Sequence, residues 1–501
     1  MQLPTISIRP PAYEPLFDEQ GKGRNACRGS RVFYALLLLS LGCTIGFAMA
    51  TWGPEGLAVS ETCLARFDTS PQESTVLTVT VSAAPVATSR PEVEVWDRPS
   101  SWPMDALELL NGPPTAAFKD NLKKGVNYIT TFPGSGWTND VILYMNLLYL
   151  ALITDRVPVI PFFTPTHVGL GLAPTLLFGE VFDIPRLQRA LGLPILEWHQ
   201  VKDIEKETVD SLGCWSVWKA VQTFNREPHA TSFPSRFKLD VSYTTPPRWV
   251  AMAPEDDDDK HASFWSLASL AFPETRSQIR LEIPTISPLL NQTLPPDEQM
   301  LCLDYLYYVG VKNRHEWESD WSPAWRFVGQ HMHWTPKIVE LADSYVREAL
   351  LVGPNKPTPP YISVHVRHGD FAELCKGVAI KYCFAPMSAI ARRVEEVQNE
   401  LFETHGIMVD KVIVTSDEED QAWWKDVTER EWARPNHSRT VELHGLWYPT
   451  LIDSAIHSGA IGFVGTDQST VSIIARKRVT TWNGGVTRTV KWGKENADDH
   501  E

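Results

Sequence analysis

The chain has 501 residues, 43% of them hydrophobic and 21% charged, and Lys+Arg 46 against Asp+Glu 61 leaves a net charge of −15. The length suggests about three units, and the apolar content excludes a wholly disordered chain. The acidic balance argues against a nucleic-acid binder, which carries a basic face. Seven cysteines are too few for a disulfide scaffold, and no two have the C-x-x-C spacing of a zinc or redox site.

In chain order, the first predicted element is the uncharged run from Val32 to Trp52, 21 residues long. About 20 such residues span a bilayer core. Lys22, Arg24, Arg28 and Arg31 precede it, and Glu55 and Glu61 follow. The positive-inside rule then puts the N-terminus in the cytosol and the rest in a lumen or outside. Residues 1–31 read as a cytosolic tail. Residues 53–118, rich in Ser, Thr and Pro, read as a stem. Five cysteines lie beyond the membrane run; Cys375 and Cys383 are close enough to close a small loop, and an odd number leaves at least one free or paired between chains. Asn291-Gln-Thr and Asn436-His-Ser are sequons that a lumenal compartment could glycosylate.

From about residue 120 the pattern becomes α/β. NYITTF (127–132) predicts a strand, DVILYMNLLYLALIT (140–154) a buried helix and VPVIPFF (157–163) a second strand, together one βαβ unit. EDDDDK (255–260) reads as a solvated loop. A helix near 336–351 ends at GPNKPTPP, a hinge or linker signal. The α/β pattern then restarts: YISVHVRHGDF (361–371) runs from strand to loop, 386–406 is an amphipathic helix closed by Gly406, and KVIVTSDEED (411–420) is a strand with an acidic turn. ELHGLWYPTLIDSAIHSGA leads into the strand IGFV, a Gly-Thr loop and a last helix. Two α/β halves, 119–352 and 353–501, predict a ligand in the cleft between them, beyond the carboxyl ends of the strands.

Three motifs carry chemistry. In His365-Val-Arg367-His-Gly-Asp370 the arginine offers a fixed fork to a phosphate. The glycine gives a ligand room to approach the backbone; a plain Arg367–Asp370 ion pair is the competing reading. Gly465-Thr-Asp467-Gln-Ser469-Thr470 lies between a strand and a helix, where hydroxyls and free N–H groups make an anion site, or where one residue simply caps the helix. Pro133-Gly-Ser135-Gly136-Trp-Thr-Asn139 is a glycine-rich turn, open to a ligand or capped by Thr138 or Asn139. It lacks the third glycine of a dinucleotide fingerprint, and VPVIPFF runs into Thr164 and Pro165 rather than an acidic residue, which argues against an oxidoreductase.

HVRHGDF, VTSDE and LIDSAIHSGAIGFVGTDQSTVS together resemble the GDP-fucose protein O-fucosyltransferase superfamily, as a membrane-anchored, fungal-type member. The resemblance covers about 125–485. It implies a GT-B fold, with two Rossmann-like domains facing a cleft, here preceded by one transmembrane helix and a stem. It implies an inverting, metal-independent transferase that moves fucose from GDP-fucose to a protein or glycan hydroxyl, with no cofactor. By motif, Arg367 would hold the β-phosphate, with His365 beside the nucleotide. Asp453 would accept from guanine, and Asp467, Ser469 and Thr470 would bind the donor. In the first turn Gly136 would approach the substrate and Asn139 would orient the acceptor hydroxyl. The relatives acting on thrombospondin repeats have a glutamate base where this chain has Ser135, which cannot take a proton near neutral pH without an adjacent base. A non-catalytic nucleotide-sugar or glycan-binding protein is therefore the alternative. The expected setting is a single-pass type II protein of the Golgi or endoplasmic reticulum.

Overall fold

Short runs of Val, Ile, Leu and Tyr without polar alternation make strands buried on both faces, the mark of parallel sheets sandwiched by helices. The computed structural model describes residues 102–499, apart from 104, 167, 223–226 and 257–258. The membrane run Val32–Trp52, the tail and most of the stem lie outside the described residues. Among the described residues no helix is long and apolar enough to cross a membrane.

The first half carries β1 (Tyr128–Thr131), β2 (Val157–Ile160), β3 (Leu196–Glu197), β4 (Asp210–Trp215), β5 (Leu239–Thr244), β6 (Ala262–Ser263), β7 (Met300–Leu303) and β8 (Val309–Gly310). Six of them form one parallel sheet in the order β3-β2-β1-β7-β4-β5, and β6 pairs with β8. The second half carries β9 (Ile362–Val366), β10 (Val412–Ser416), β11 (Gly462–Thr466) and β12 (Val486–Val490), all parallel, in the order β10-β9-β11-β12. In the first sheet the chain winds one way from β1 to β3 and the other way to β4 and β5 before returning to β7 beside β1, and in the second it reverses once, between β9 and β11. These reversals are the crevices where open α/β sheets bind ligands.

Five helices position the site: α1 (Trp137–Thr154), α2 (Pro336–Ala349), α3 (Met387–His405), α4 (Tyr448–Gly459) and α5 (Thr470–Asn483). α1 begins three residues before the sequence pattern placed it, because Trp137 packs on Phe163, Phe182 and Trp334. It is apolar nearly all round, as a helix inside a core must be. One core joins Ile142, Leu143 and Leu147 of α1 to Leu451 and Ile456 of α4 and Ile474 of α5. A second, with Phe118, Tyr128, Trp198 and Phe233, fills the other face of the first sheet. A third packs Val394 and Val397 of α3 on Ile362, Val364, Val412 and Val464.

Three readings change. Ala106, Leu109 and Leu110, which the sequence assigned to the stem, are buried with Phe118 in the second core. The acidic run 255–260 is not wholly solvated: Asp259 is buried, accepting from the His261 backbone N–H and sharing a 2.8 Å contact with the His261 ring. α2 precedes the Pro-rich linker yet packs on α4 of the second half, and the Tyr345 hydroxyl meets Thr440 Oγ1 at 2.6 Å. Cys214 pairs with Cys302 across β4 and β7, and Cys375 with Cys383. Cys63, the remaining one of the five cysteines after the Val32–Trp52 run, lies outside the described residues.

Candidate functional site

β9 ends at Val366, so Arg367 is the first residue past the sheet, where its backbone N–H donates to Thr466 Oγ1 at the end of β11 (2.9 Å). Its guanidinium donates to Asp417 Oδ2 (2.5 Å) and to Asp370 Oδ1 (2.6 Å). The Asp370 pair is therefore formed, but Asp417 is a second and better buried anchor: the two carboxylates are 65% and 28% exposed. Asp417 Oδ1 also accepts from the His368 N–H (2.7 Å), and His368 Nδ1 contacts Glu418 (2.5 Å). The acidic turn after β10 thus stitches down the loop that carries Arg367.

Gly369 has φ 23, and a β-carbon there would strike the Asp417 carboxylate. The space opened by this glycine, read from sequence as room for a ligand, is filled by that side chain. His365 lies within β9, its Nδ1 2.8 Å from Ser472 Oγ of α5. Burial, then the neighbouring His457 and Arg367, hold its imidazole well below the usual range, so it is neutral at pH 7. His457 of α4 bridges Ser363 and Thr415 and is pushed down to about 4 by burial.

The loop after β11 is rigid. Asp467 N–H donates to Val490 O, and Trp492 Nε1 donates to Asp467 O. The Asp467 carboxylate takes no hydrogen bond among the described residues. Ser469 is buried at the N-cap of α5, yet its side chain makes no capping hydrogen bond. The helix start thus keeps its first-turn donors and the positive end of its dipole without a side-chain acceptor.

The glycine-rich turn occupies the corresponding place in the first sheet, after β1. Gly136 is the N-cap of α1 and again supplies no side-chain cap. The turn is held from below by Asp140, whose Oδ1 accepts from the Gly134 and Ser135 N–H groups (3.2 and 3.1 Å). Burial raises the Asp140 carboxyl well above the usual range, against the pull of those two bonds. Gly134 is needed because the His229 ring and Ala230 O press against it. Ser135 Oγ lies 2.6 Å from the Tyr305 hydroxyl. Asn139 stands in the first turn of α1 with a side chain that takes no partner among the described residues.

The two starts meet. Thr138 Oγ1 of α1 and Thr470 Oγ1 of α5 are 2.6 Å apart, so two helix N-termini without side-chain caps converge from opposite halves. Gly136, Asn139, Ser469 and Thr470 are thereby gathered at one junction, with Arg367 and His365 joined to it through Thr466 and Ser472. Asp453 stands apart from this group. It lies on α4, one turn before His457, and its Oδ1 is 2.8 Å from His437 Nε2.

Sequence reasoning missed Asp417, His457, Ser472, Thr138 and Tyr305 as members of the site. The first three stood inside quoted motifs without a role. Tyr305 and the Thr138–Thr470 contact join distant segments and leave no local signal. Among the described residues no three His, Cys, Asp or Glu side chains converge as metal ligands.

No family model and no curated protein matches the chain. Solved structures do. The chain is similar to POFUT1 in complex with GDP-fucose, at 14% identity and TM-score 0.47 over 74% of this chain and 99% of that one. It is similar to POFUT1 in complex with GDP, at 15% identity and TM-score 0.47 over 73% and 99%. It is also similar to NodZ α-1,6-fucosyltransferase soaked with GDP-fucose, at 14% identity and TM-score 0.36 over 70% and 93%.

Proposed function

We propose that the chain is an inverting, metal-independent glycosyltransferase moving fucose from GDP-fucose to a hydroxyl of a protein or glycan. The observation that carries this reading is the meeting of two helix N-termini without side-chain caps, beside Arg367, at the switch point of the second sheet. Free N–H groups, the positive ends of two helix dipoles and a guanidinium suit a diphosphate. That the nucleotide is GDP and the sugar fucose follows the sequence resemblance.

The chemistry then runs as follows. The diphosphate takes the place of the exposed Asp370 on Arg367, while Asp417 keeps the fork in position. The acceptor oxygen attacks the sugar C1 as the C1–O bond to the β-phosphate breaks, and the electron pair leaves with GDP. Arg367 and the α5 N–H groups stabilise that growing charge, as fixed donors do best. Asp453 Oδ2 takes no hydrogen bond among the described residues and accepts from guanine. Asn139 orients the acceptor hydroxyl. Ser135 Oγ is paired with the Tyr305 hydroxyl rather than with a carboxylate or an imidazole, so the acceptor proton leaves to water or to a group of the acceptor.

The setting we propose is a single-pass type II protein, anchored by Val32–Trp52, with the catalytic part in the lumen of the Golgi or endoplasmic reticulum. Two disulfides support an oxidising compartment. Hydrolysis of GDP-fucose by the purified protein tests the reaction, and turnover in excess chelator is expected. A protein that binds GDP but never releases fucose would be the non-catalytic alternative. Activity abolished by chelator and restored by manganese would refute metal independence.

A further inference from the structure

Both sequons have an exposed asparagine and an exposed hydroxyl residue, and they differ in what the asparagine side chain touches. Asn436 donates its amide to Glu348 (3.4 Å) and accepts from the Ser438 N–H (3.2 Å), and the intervening His437 contacts Asp453 and Thr440. A glycan there would stand beside Asp453, which the proposed reading gives to guanine. Asn291 is exposed at φ 52, a left-handed conformation that asparagine tolerates. Its side chain has no partner among the described residues, and Thr293 is exposed too. The surrounding turn is fixed: Ser287 N–H donates to Gln292 O, and Gln292 N–H donates to Ser287 Oγ (3.0 Å). Asp240 accepts from the N–H groups of Leu289 (2.9 Å) and Leu290 (2.7 Å).

The segment that leads into this pinned turn, and the turn itself, hold apolar side chains outward. Ile283 is 91% exposed, Ile286 68% and Leu289 60%, all within eight residues of Asn291. Clustered exposed apolar groups are usually covered by something, and here a covalent attachment point lies two residues from Leu289.

We infer that Asn291 carries an N-linked glycan, that Asn436 does not, and that the glycan covers the apolar strip Ile283–Leu290. In the transfer, Asn291 Nδ2 attacks the sugar C1 of a polyprenyl-pyrophosphate oligosaccharide. The N–C1 bond forms, the C1–O bond to phosphate breaks, and the lipid pyrophosphate leaves with the electron pair while one amide proton is released. This inference rests on the lumenal reading of the preceding section.

The test uses the full chain, tagged at its C-terminus and expressed in cells with a secretory pathway. Protease protection of the tag on intact vesicles is measured beside endoglycosidase sensitivity. One endoglycosidase-sensitive step is expected, lost in Asn291→Gln and Thr293→Ala, kept in Thr293→Ser and unchanged in Asn436→Gln. The unglycosylated folded variant should bind more of a hydrophobic dye than the wild type. A protected tag with no glycan at Asn291, or with a glycan at Asn436, overturns the inference and leaves the topology standing. A digested tag overturns both.

Discussion

In the proposed transfer Arg367 faces the leaving diphosphate, and its two carboxylate partners, Asp370 and Asp417, make opposing expectations testable. If it holds the leaving diphosphate, Arg367→Ala removes a charged donor from the transition state. Such a loss costs about 3–4 kcal/mol, or roughly 10²–10³ in rate. Arg367→Lys should recover only part of it, because a point charge cannot replace the fork on both an anion and Asp417. Were Arg367 only the partner of Asp370 and Asp417, the same change would lower the melting temperature and leave turnover as it was. Asp453→Asn should act differently, exchanging an acceptor for a mixed group. GDP affinity should fall and discrimination of guanine from other bases should relax, with the GDP-to-UDP affinity ratio as the readout. An unchanged ratio would remove Asp453 from the base site, leaving it as the partner of His437.

At the scale of elements, the site depends on where two helices begin. Thr138 and Thr470, 332 positions apart in sequence, link those starts through a single hydroxyl pair. Removing either hydroxyl breaks the pair, so Thr138→Val and Thr470→Val should not add. A double-mutant cycle on unfolding stability is expected to show a coupling of about 1 kcal/mol, the usual net worth of one hydrogen bond. Additive effects would mean that the two helix starts act independently. Much of this geometry was legible in the sequence. Strand-then-turn patterns at 127–139, 361–371 and 461–470 placed Arg367, Ser469 and Gly136 past the ends of strands, because local apolar runs decide strand ends. The contacts that assemble the site were not legible. Asp417 against Gly369, Tyr305 against Ser135 and Thr138 against Thr470 depend on which strands become neighbours. No local periodicity encodes the orders β10-β9-β11-β12 and β3-β2-β1-β7-β4-β5. The same gap put Ala106 and Leu109 in a stem, since only the Phe118 core shows that they are covered.

For the molecule as a whole, the second half is stitched through its interior by neutral imidazoles, which sets its response to acid. His457 is fully buried between Ser363 and Thr415 and held down to about 4, from an ordinary value near 6.5. The unfolded chain therefore takes up this proton first as pH falls. Its contribution to stability is whole above about pH 6.5 and is lost progressively toward pH 4, by about 3 kcal/mol for a shift of that size. Asp304, raised to about 6 by burial, works in the opposite sense between its ordinary value and 6. The comparison of wild type with His457→Gln cancels that second effect. Unfolding by denaturant should lose less stability between pH 6.5 and 4 in the variant, and equal slopes would show that His457 is not titrating with folding. The most direct test of the central claim is calorimetric titration of the full-length protein and of Arg367→Ala with GDP, GDP-fucose and UDP-sugars. Binding of GDP and GDP-fucose to the wild type, no binding of UDP-sugars, and a marked loss of GDP affinity in a normally folded Arg367→Ala are expected. Absence of GDP binding, or equal GDP affinity in the two proteins, would contradict a diphosphate site at the meeting of α1, α5 and Arg367.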